Sequence, residues 1–303
     1  MAANTNQPDA ARPRRSLLYM PGTNARAHEK AKALAADVLI FDLEDSVAPE
    51  AKAEARNRVC AAIGAGGFGG REIMVRVNAI STPWAEDDLR AAALCGADGI
   101  VLPKVADPAD VRAAGEILDG EGCGATLWAM METARAVLAA PEIASAHERM
   151  AGLTMGLEDL AKELKAEVDP ARTAMLYVLE RCILAARANG LGAIDAVFPA
   201  FDDDEGFAAA CAQGRMLGFD GKQVIHPRQI EAANAAFGPS AEAVVEARRV
   251  IEAFAEAASR GEHVAKLDGR MVEALHAAEA RRLIALADAI AALEAGCDAE
   301  GVT

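Results

Sequence analysis

Hydrophobic positions along this chain fall into short unbroken runs, separated by stretches whose apolar residues recur at helical intervals. Two runs are the most sharply drawn. Leu127-Trp128-Ala129-Met130-Met131 is closed by Glu132-Thr133, and Leu153-Thr154-Met155-Gly156-Leu157 is closed by Glu158-Asp159. Each is the length of a strand buried on both faces, which reads as a continuous apolar run. Each ends in a carboxylate, so as neighbours they would hold two acids at one end of a sheet.

The same grammar runs through the rest of the chain. Ser16-Leu17-Leu18-Tyr19-Met20 predicts a strand stopped by Pro21-Gly22, and Asn24 predicts the cap of a helix running to Ala35. Val38 to Phe41 predicts a second strand, Glu50 to Ile63 a helix, Ile73 to Asn78 a third strand, and Trp84 to Leu94 another helix. Gly99 to Leu102 is the fourth strand, and Asp107-Pro108 opens the next helix with proline in its first turn. The two runs above are the fifth and sixth strands, and a helical hairpin over Leu157 to Asn189 follows. Ala193 to Phe198 and Gln223 to Ile225 are the seventh and eighth strands, with a helix over Asp203 to Leu217 between them.

Strand and helix alternating eight times predict a (β/α)₈ TIM barrel over residues 14–238. An open doubly wound sheet is the other candidate, but no Gly-x-Gly-x-x-Gly follows any strand. Residues 239–303 carry no strand signal. They predict a helix over Ala241 to Ser259, a loop through Asp268-Gly269-Arg270 and a last helix, an extension that would pack on the barrel or across a subunit interface. Residues 1–13 are polar, and we expect them to be disordered rather than a signal peptide.

Composition narrows the partners. The net charge of −15 excludes a basic nucleic-acid surface. No apolar run approaches the roughly 20 residues that cross a bilayer, so neither a membrane nor a nucleic acid is expected as a partner. The six cysteines form no Cys-x-x-Cys pair, which predicts reduced thiols and a cytoplasmic location.

The candidate chemistry lies at the strand ends, where a barrel of this class places its catalytic groups. Those ends carry Glu44 and Asp45, Arg76 and Asn78, Lys104, Glu132, Glu158 and Asp159, and His226. Carboxylates without clustered His or Cys favour Mg²⁺ or Mn²⁺ over zinc. Glu132 and Asp159 suit Mg²⁺, which accepts one or two carboxylates and completes its shell with water and substrate oxygens. Arg76, inside an apolar strand, is read as a clamp on a carbonyl or carboxylate oxygen, or else as a structural partner of Glu44 or Asp45. Lys104 reads as an ion-paired lysine before it reads as a Schiff-base former. No serine nucleophile motif is present.

Seven motifs in order carry a resemblance to a known family. They are Arg14-Arg15-Ser16-Leu17-Leu18-Tyr19-Met20-Pro21-Gly22, Phe41-Asp42-Leu43-Glu44-Asp45-Ser46-Val47, Arg76-Val77-Asn78, Leu102-Pro103-Lys104, Met131-Glu132-Thr133, Gly156-Leu157-Glu158-Asp159, and Gly218-Phe219-Asp220-Gly221-Lys222 through Ile225-His226-Pro227. From about Arg14 to Ile284 the chain resembles the HpcH/HpaI aldolase and citrate lyase β-subunit family. Within it, the stand-alone members acting on malyl-CoA, citramalyl-CoA or similar thioesters are the most similar.

The resemblance implies a homotrimeric TIM barrel with Mg²⁺ on Glu132 and Asp159 and with Arg76 on the substrate carbonyl oxygen. It implies that backbone N–H groups from Gly156 through Leu157 to Glu158 receive a substrate carboxylate. Glu44 and Asp45 would order water or support Arg76. Arg15, Arg26 and Lys30 become the candidates for coenzyme A. Lyases of the family carry an Asp in the C-terminal loop, where this chain has Glu273, a difference shared with malyl-CoA thioesterase relatives. The implied substrates are an acyl-CoA and a small 2-oxo acid, joined or cleaved at a C–C bond, or a thioester that is hydrolysed. The alternatives are an aldolase on free 2-oxo acids and a citrate lyase-type subunit working with an acyl-carrier protein, the last disfavoured by the acidic surface.

Overall fold

In the computed structural model, which describes residues 12–300, eight parallel strands close into a barrel in sequence order. They are β1 (Ser16–Pro21), β2 (Val38–Asp42), β3 (Glu72–Arg76), β4 (Gly99–Leu102), β5 (Thr126–Met131), β6 (Met150–Met155), β7 (Gly192–Asp195) and β8 (Gly221–Val224). β1 pairs with both β2 and β8, so no edge is left open. The expected barrel is therefore present. Of the disordered N-terminus expected over residues 1–13, residues 1–11 lie outside the described residues.

Helices connect the strands. α1 (Ala25–Ala31), α2 (Lys52–Ala65), α3 (Ala85–Leu94) and α4 (Pro108–Glu121) follow the first four, and α5 (Ala134–Leu138) with α6 (Ala140–Ala144) follow β5. α7 (Leu157–Leu164) and α8 (Leu176–Ala188) follow β6, then come α9 (Asp204–Leu217) and α10 (Arg228–Phe237). Local chemistry starts them where the sequence indicates. The Asn24 side chain accepts from Ala27 N at 3.1 Å, and Asp107 with Asp110 forms a capping box ahead of α4.

Strand alternation sorts side chains into two cores. Outward residues such as Leu39, Phe41, Val75, Ile100 and Met131 pack under the helices. Inward residues Leu17, Val38, Ile40, Met74, Val101, Trp128, Met130 and Ile194 fill the barrel. Trp128 is fully buried there, and a Cβ at Gly152 would lie 2.0 Å from its ring, so glycine on β6 is what admits the indole. Continuing the inward alternation to the C-terminal ends brings Tyr19, Asp42, Arg76, Glu132 and Gln223 round one mouth.

Residues from Gly238 onward form a second compact unit. α11 (Ala241–Ser259) matches the expected helix, and α12 (Ala274–Glu300) ends the described chain. The expected loop between them is corrected: β9 (Val264–Leu267) and β10 (Arg270–Glu273) form an antiparallel hairpin. Asp268 and Gly269, at φ 48° and 82°, make its two-residue turn, for which Asp-Gly is a favoured pair. Ala265 and Val272 pair across the strands and are buried against α11 residues Val250, Ala253 and Phe254.

Candidate active site

A cavity of about 450 Å³ opens at the C-terminal mouth, lined on one side by Tyr19, Asp42, Asp45 and Arg76 and on the other by Glu132, Gly156, Glu158 and Asp159. Of the expected site residues, Asp45, Arg76, Glu132, Gly156, Leu157, Glu158 and Asp159 line this one space, while Glu44 does not line it and instead adjoins Arg76.

Arg76 is held more rigidly than its sequence context reveals. Its Nε and Nη2 donate to Asp42 Oδ1 and Oδ2 at 2.7 and 2.8 Å, a bidentate pair. Asp42 lies beside Arg76 in the β2–β3 register, and Asp42, not Glu44 or Asp45, is its main partner. Glu44 Oε2 is 3.3 Å and Asp45 Oδ2 3.8 Å from Nη1, the donor that Asp42 leaves uncommitted. Arg76 Cζ lies over the Tyr19 ring, 5.1 Å from its centroid. Burial opposes charge on Arg76, but the hydrogen bonds and charge of Asp42 outweigh it and hold the pKa above the usual arginine range. Burial likewise opposes ionisation of Asp42, yet Arg76, the Ser46 and Glu44 backbone N–H groups and the arginine charge keep its pKa low.

Glu44 behaves differently. Desolvation pushes its pKa up to about 7 against the pull of Arg76, with Asp45 adding to the rise. Its Oε2 is buried without a hydrogen bond. A carboxylate in that state can take or give a proton near neutrality.

Opposite lies the carboxylate pair. Glu132 is 3% exposed, burial raises its pKa, and its Oε1 accepts the Lys104 backbone N–H at 2.5 Å. Lys104 sits at φ 51°, a turn of backbone that aims this N–H at the acid. Gly156 makes room for it: a Cβ there would lie 2.4 Å from Glu132 Cβ and 2.9 Å from Oε2. The Lys104 ammonium lies 3.4 Å from Glu132 Oε2 and pairs with Asp159 Oδ2.

Two acids, Glu132 just after β5 and Asp159 in the first turn of α7, thus converge on one cation. That is the chemical demand of a Mg²⁺ site that draws its remaining ligands from water and substrate, and Glu132 and Asp159 fit it. Among the described residues no group of three or more His, Cys, Asp or Glu side chains could hold a metal. Gly156 precedes α7 with no side-chain cap, and Glu158 is exposed in the helix's first turn. Gly156, Leu157 and Glu158, at the N-terminal end of α7, line the cavity.

Other expected residues lie elsewhere. Arg15 is corrected as a coenzyme A ligand. It is 6% exposed just before β1, at the opposite end of the barrel, where its backbone N–H, Nε and Nη2 all bond the Asp37 carboxylate at 2.7 to 2.9 Å. Such a group has no charge to offer a ligand at the mouth. Arg26 and Lys30 are exposed on α1 and do not line the cavity. Asn78 is structural, bonding Leu43 O and Asp88. His226 stacks on Phe201 at 5.0 Å outside the cavity. Glu273, exposed at the end of β10, belongs to the second unit, and its backbone N–H donates to His276 Nδ1 at 3.0 Å.

A barrel whose mouth pairs a clamped arginine with two converging carboxylates belongs to the class that handles oxygen-rich anionic substrates beside a hard cation. The sequence matches the HpcH/HpaI aldolase/citrate lyase family over residues 15–227, and the chain belongs to that family. It is 49% identical over 285 residues to (3S)-malyl-CoA thioesterase of Cereibacter sphaeroides, covering 94% of this chain and 98% of that one. It is 38% identical over 280 residues to citrate lyase subunit beta of Escherichia coli, covering 90% and 93%. Among solved structures it resembles the Mycobacterium tuberculosis protein CitE in complex with magnesium, acetoacetate and coenzyme A. That similarity is a TM-score of 0.72 at 32% identity, covering 92% of this chain and 99% of that one.

Proposed function

We propose that this chain is a Mg²⁺-dependent enzyme acting on malyl-CoA-type 3-hydroxyacyl-CoA thioesters, with thioester hydrolysis as its reaction. The observation that carries the reading is the convergence of Glu132 and Asp159 on one cation across a cavity from the Asp42-clamped Arg76. Similarity to the thioesterase over nearly the whole of both chains supports the choice of reaction. A second reading, C–C cleavage to acyl-CoA and a 2-oxo acid, draws support from the citrate lyase subunit and from the acetoacetate complex of CitE.

Glu132 and Asp159 would hold Mg²⁺, which would supply charge stabilisation to developing oxyanions. The protein's own groups do the rest. Arg76 donates from Nη1 to a substrate oxygen, while Asp42 fixes the plane of its guanidinium. The amide end of α7 holds the substrate carboxylate. Glu44 accepts a proton from water as that water attacks the thioester carbonyl carbon. The C–S bond then breaks, and the proton passes to the departing sulfur, leaving free acid and free thiol.

In the lyase reading the same carboxylate would move the proton of the hydroxyl. The quaternary reading is a cytoplasmic homotrimer in which the second unit carries Glu273 to a neighbouring site, supported by family membership. Arg26 and Lys30, exposed on α1, are the remaining candidates for coenzyme A phosphates.

The test incubates purified protein with malyl-CoA and Mg²⁺ and follows free thiol and glyoxylate separately. Thiol without glyoxylate is expected. Glyoxylate with acetyl-CoA selects the lyase reading, and neither product overturns both.

A further inference from the structure

Tyr19 and Gln223 both line the cavity, and neither has a role in the chemistry above. Gln223, on β8, spends its amide nitrogen on two backbone carbonyls, Met155 O at 2.7 Å and Asp195 O at 3.1 Å. Both carbonyls only accept, so the nitrogen must face them and Oε1 must face the other way. There it receives the Tyr19 hydroxyl at 2.8 Å. The phenol is therefore locked as a donor, and its ring cannot swing without breaking that bond. Arg76 Cζ lies over this ring, 5.1 Å from its centroid.

The contacts form one continuous chain. It starts at the C-terminal ends of β6 and β7, passes through Gln223 on β8 and Tyr19 on β1, and ends at Arg76 on β3. Asp42 fixes Arg76 within its own plane through two in-plane hydrogen bonds, but such bonds resist tilting out of that plane poorly. A ring fixed beside the guanidinium opposes that motion, because the cation is attracted to the ring's face and its atoms cannot move into the ring.

We infer that Tyr19, held by Gln223, is a positioning residue that sets the tilt of the Arg76 guanidinium, and with it the direction in which Nη1 meets the substrate oxygen. The inference rests on Arg76 being the oxygen clamp of the proposed reaction. Desolvation raises the Tyr19 pKa, which keeps the hydroxyl protonated and the strut intact across the neutral range.

The experiment uses the full chain labelled with ¹⁵N-arginine, with the Arg76 Nε–H signal identified by its loss in Arg76→Lys. Gln223→Leu touches neither Arg76 nor Asp42. It is expected to move that signal towards a smaller ring-current shift, to hasten its exchange with water, and to lower kcat about tenfold with KM little changed. That loss is milder than the roughly hundredfold expected for a full 1 Å misplacement. Tyr19→Phe, which removes one oxygen atom, carries the same expectation should Gln223→Leu fail to fold.

The double variant Tyr19→Phe/Gln223→Leu should be no worse than either single change, and Tyr19→Phe should cost nothing further in an Arg76→Lys background. An Arg76 signal unmoved by both single changes, or losses that multiply with Arg76→Lys, would overturn the inference. A wild-type protein inert towards malyl-CoA would end the functional reading alone, because the arginine signal reports on the strut without substrate.

Discussion

Lys104 grips Glu132 twice, through its backbone N–H to Oε1 at 2.5 Å and through its ammonium 3.4 Å from Oε2. A side-chain cation therefore occupies the point where the carboxylates of Glu132, after β5, and Asp159, on α7, meet. It offsets their charge, and it would compete with a metal for the same oxygens. Mg²⁺ binding followed by calorimetry should be tighter in Lys104→Met than in the wild type. It should be lost in Glu132→Gln and in Asp159→Asn, and weaker binding in Lys104→Met would remove the competition argument.

The arginine clamp predicts a stability cost that the surface ion pairs do not. Asp42 is buried and bonds Arg76 at two points, so Asp42→Asn removes the main counter-charge of a partly buried guanidinium and leaves it only the longer contacts to Glu44 and Asp45. Breaking such a pair costs about 3–5 kcal/mol, against roughly 0–1 kcal/mol for an exposed one. Urea unfolding of Asp42→Asn beside Asp204→Asn, whose partner Arg228 is exposed, would show whether that gap exists.

Glu44 sets a pH window with a definite sign. Its folded pKa of about 7 lies above its ordinary 4.5, so between those values the native state binds more protons than the unfolded state. Stability therefore falls as pH rises from about 4.5 to 7, by on the order of 1–3 kcal/mol from this group. Glu44→Gln should remove that slope, which unfolding midpoints at pH 5 and pH 8 would reveal. In the wild type kcat/KM should rise through about pH 7 as the base loses its proton, and a flat profile there would exclude Glu44 as the base.

Gly156 is required by a close approach. The 2.4 Å that a Cβ would leave to Glu132 Cβ has no side-chain tip to yield, so Gly156→Ala must push β5 and β6 apart or displace the acid. We expect about 1–3 kcal/mol of lost stability. Mg²⁺ affinity should fall with it, and a variant that bound Mg²⁺ as the wild type does would show that the acid can relocate freely.

The basic residues divide into two behaviours. Arg15→Ala should destabilise the protein, because Asp37 would be left buried, yet leave KM for an acyl-CoA unchanged. Arg26→Ala and Lys30→Ala should leave the melting temperature nearly unchanged and raise KM if they meet coenzyme A phosphates. Steady-state kinetics paired with thermal melts separates the two.

Much of the fold was legible because strand burial and helix capping are local properties. Leu127 to Met131 and Leu153 to Met155 announce themselves as strands by apolar content alone, and Asp107 announces α4 by its capping chemistry. Glu132 and Asp159 stand out because a charge that ends an apolar run has few reasons to be there. The β9–β10 hairpin was also legible, in Asp268-Gly269 between two short segments that each place one small apolar residue inward, Ala265 and Val272. The flanking segments Val264–Leu267 and Arg270–Glu273 weaken that signal, being charged and only half apolar.

By itself, then, the sequence determined an eightfold strand–helix alternation, polar strand ends, two acids suited to a hard cation, and seven family motifs in order. Tertiary structure alone decided which charges meet. Parallel register puts Asp42 beside Arg76, a relation across two strands and a helix that no local pattern encodes. The direction of β1 sends Arg15 to the closed end of the barrel and Tyr19 to the open one, although only four positions separate them. The physical reason is that strand period and capping are written in neighbouring residues. Pairing register and barrel closure are set by contacts between residues far apart in the chain, and the geometry of the site follows from those.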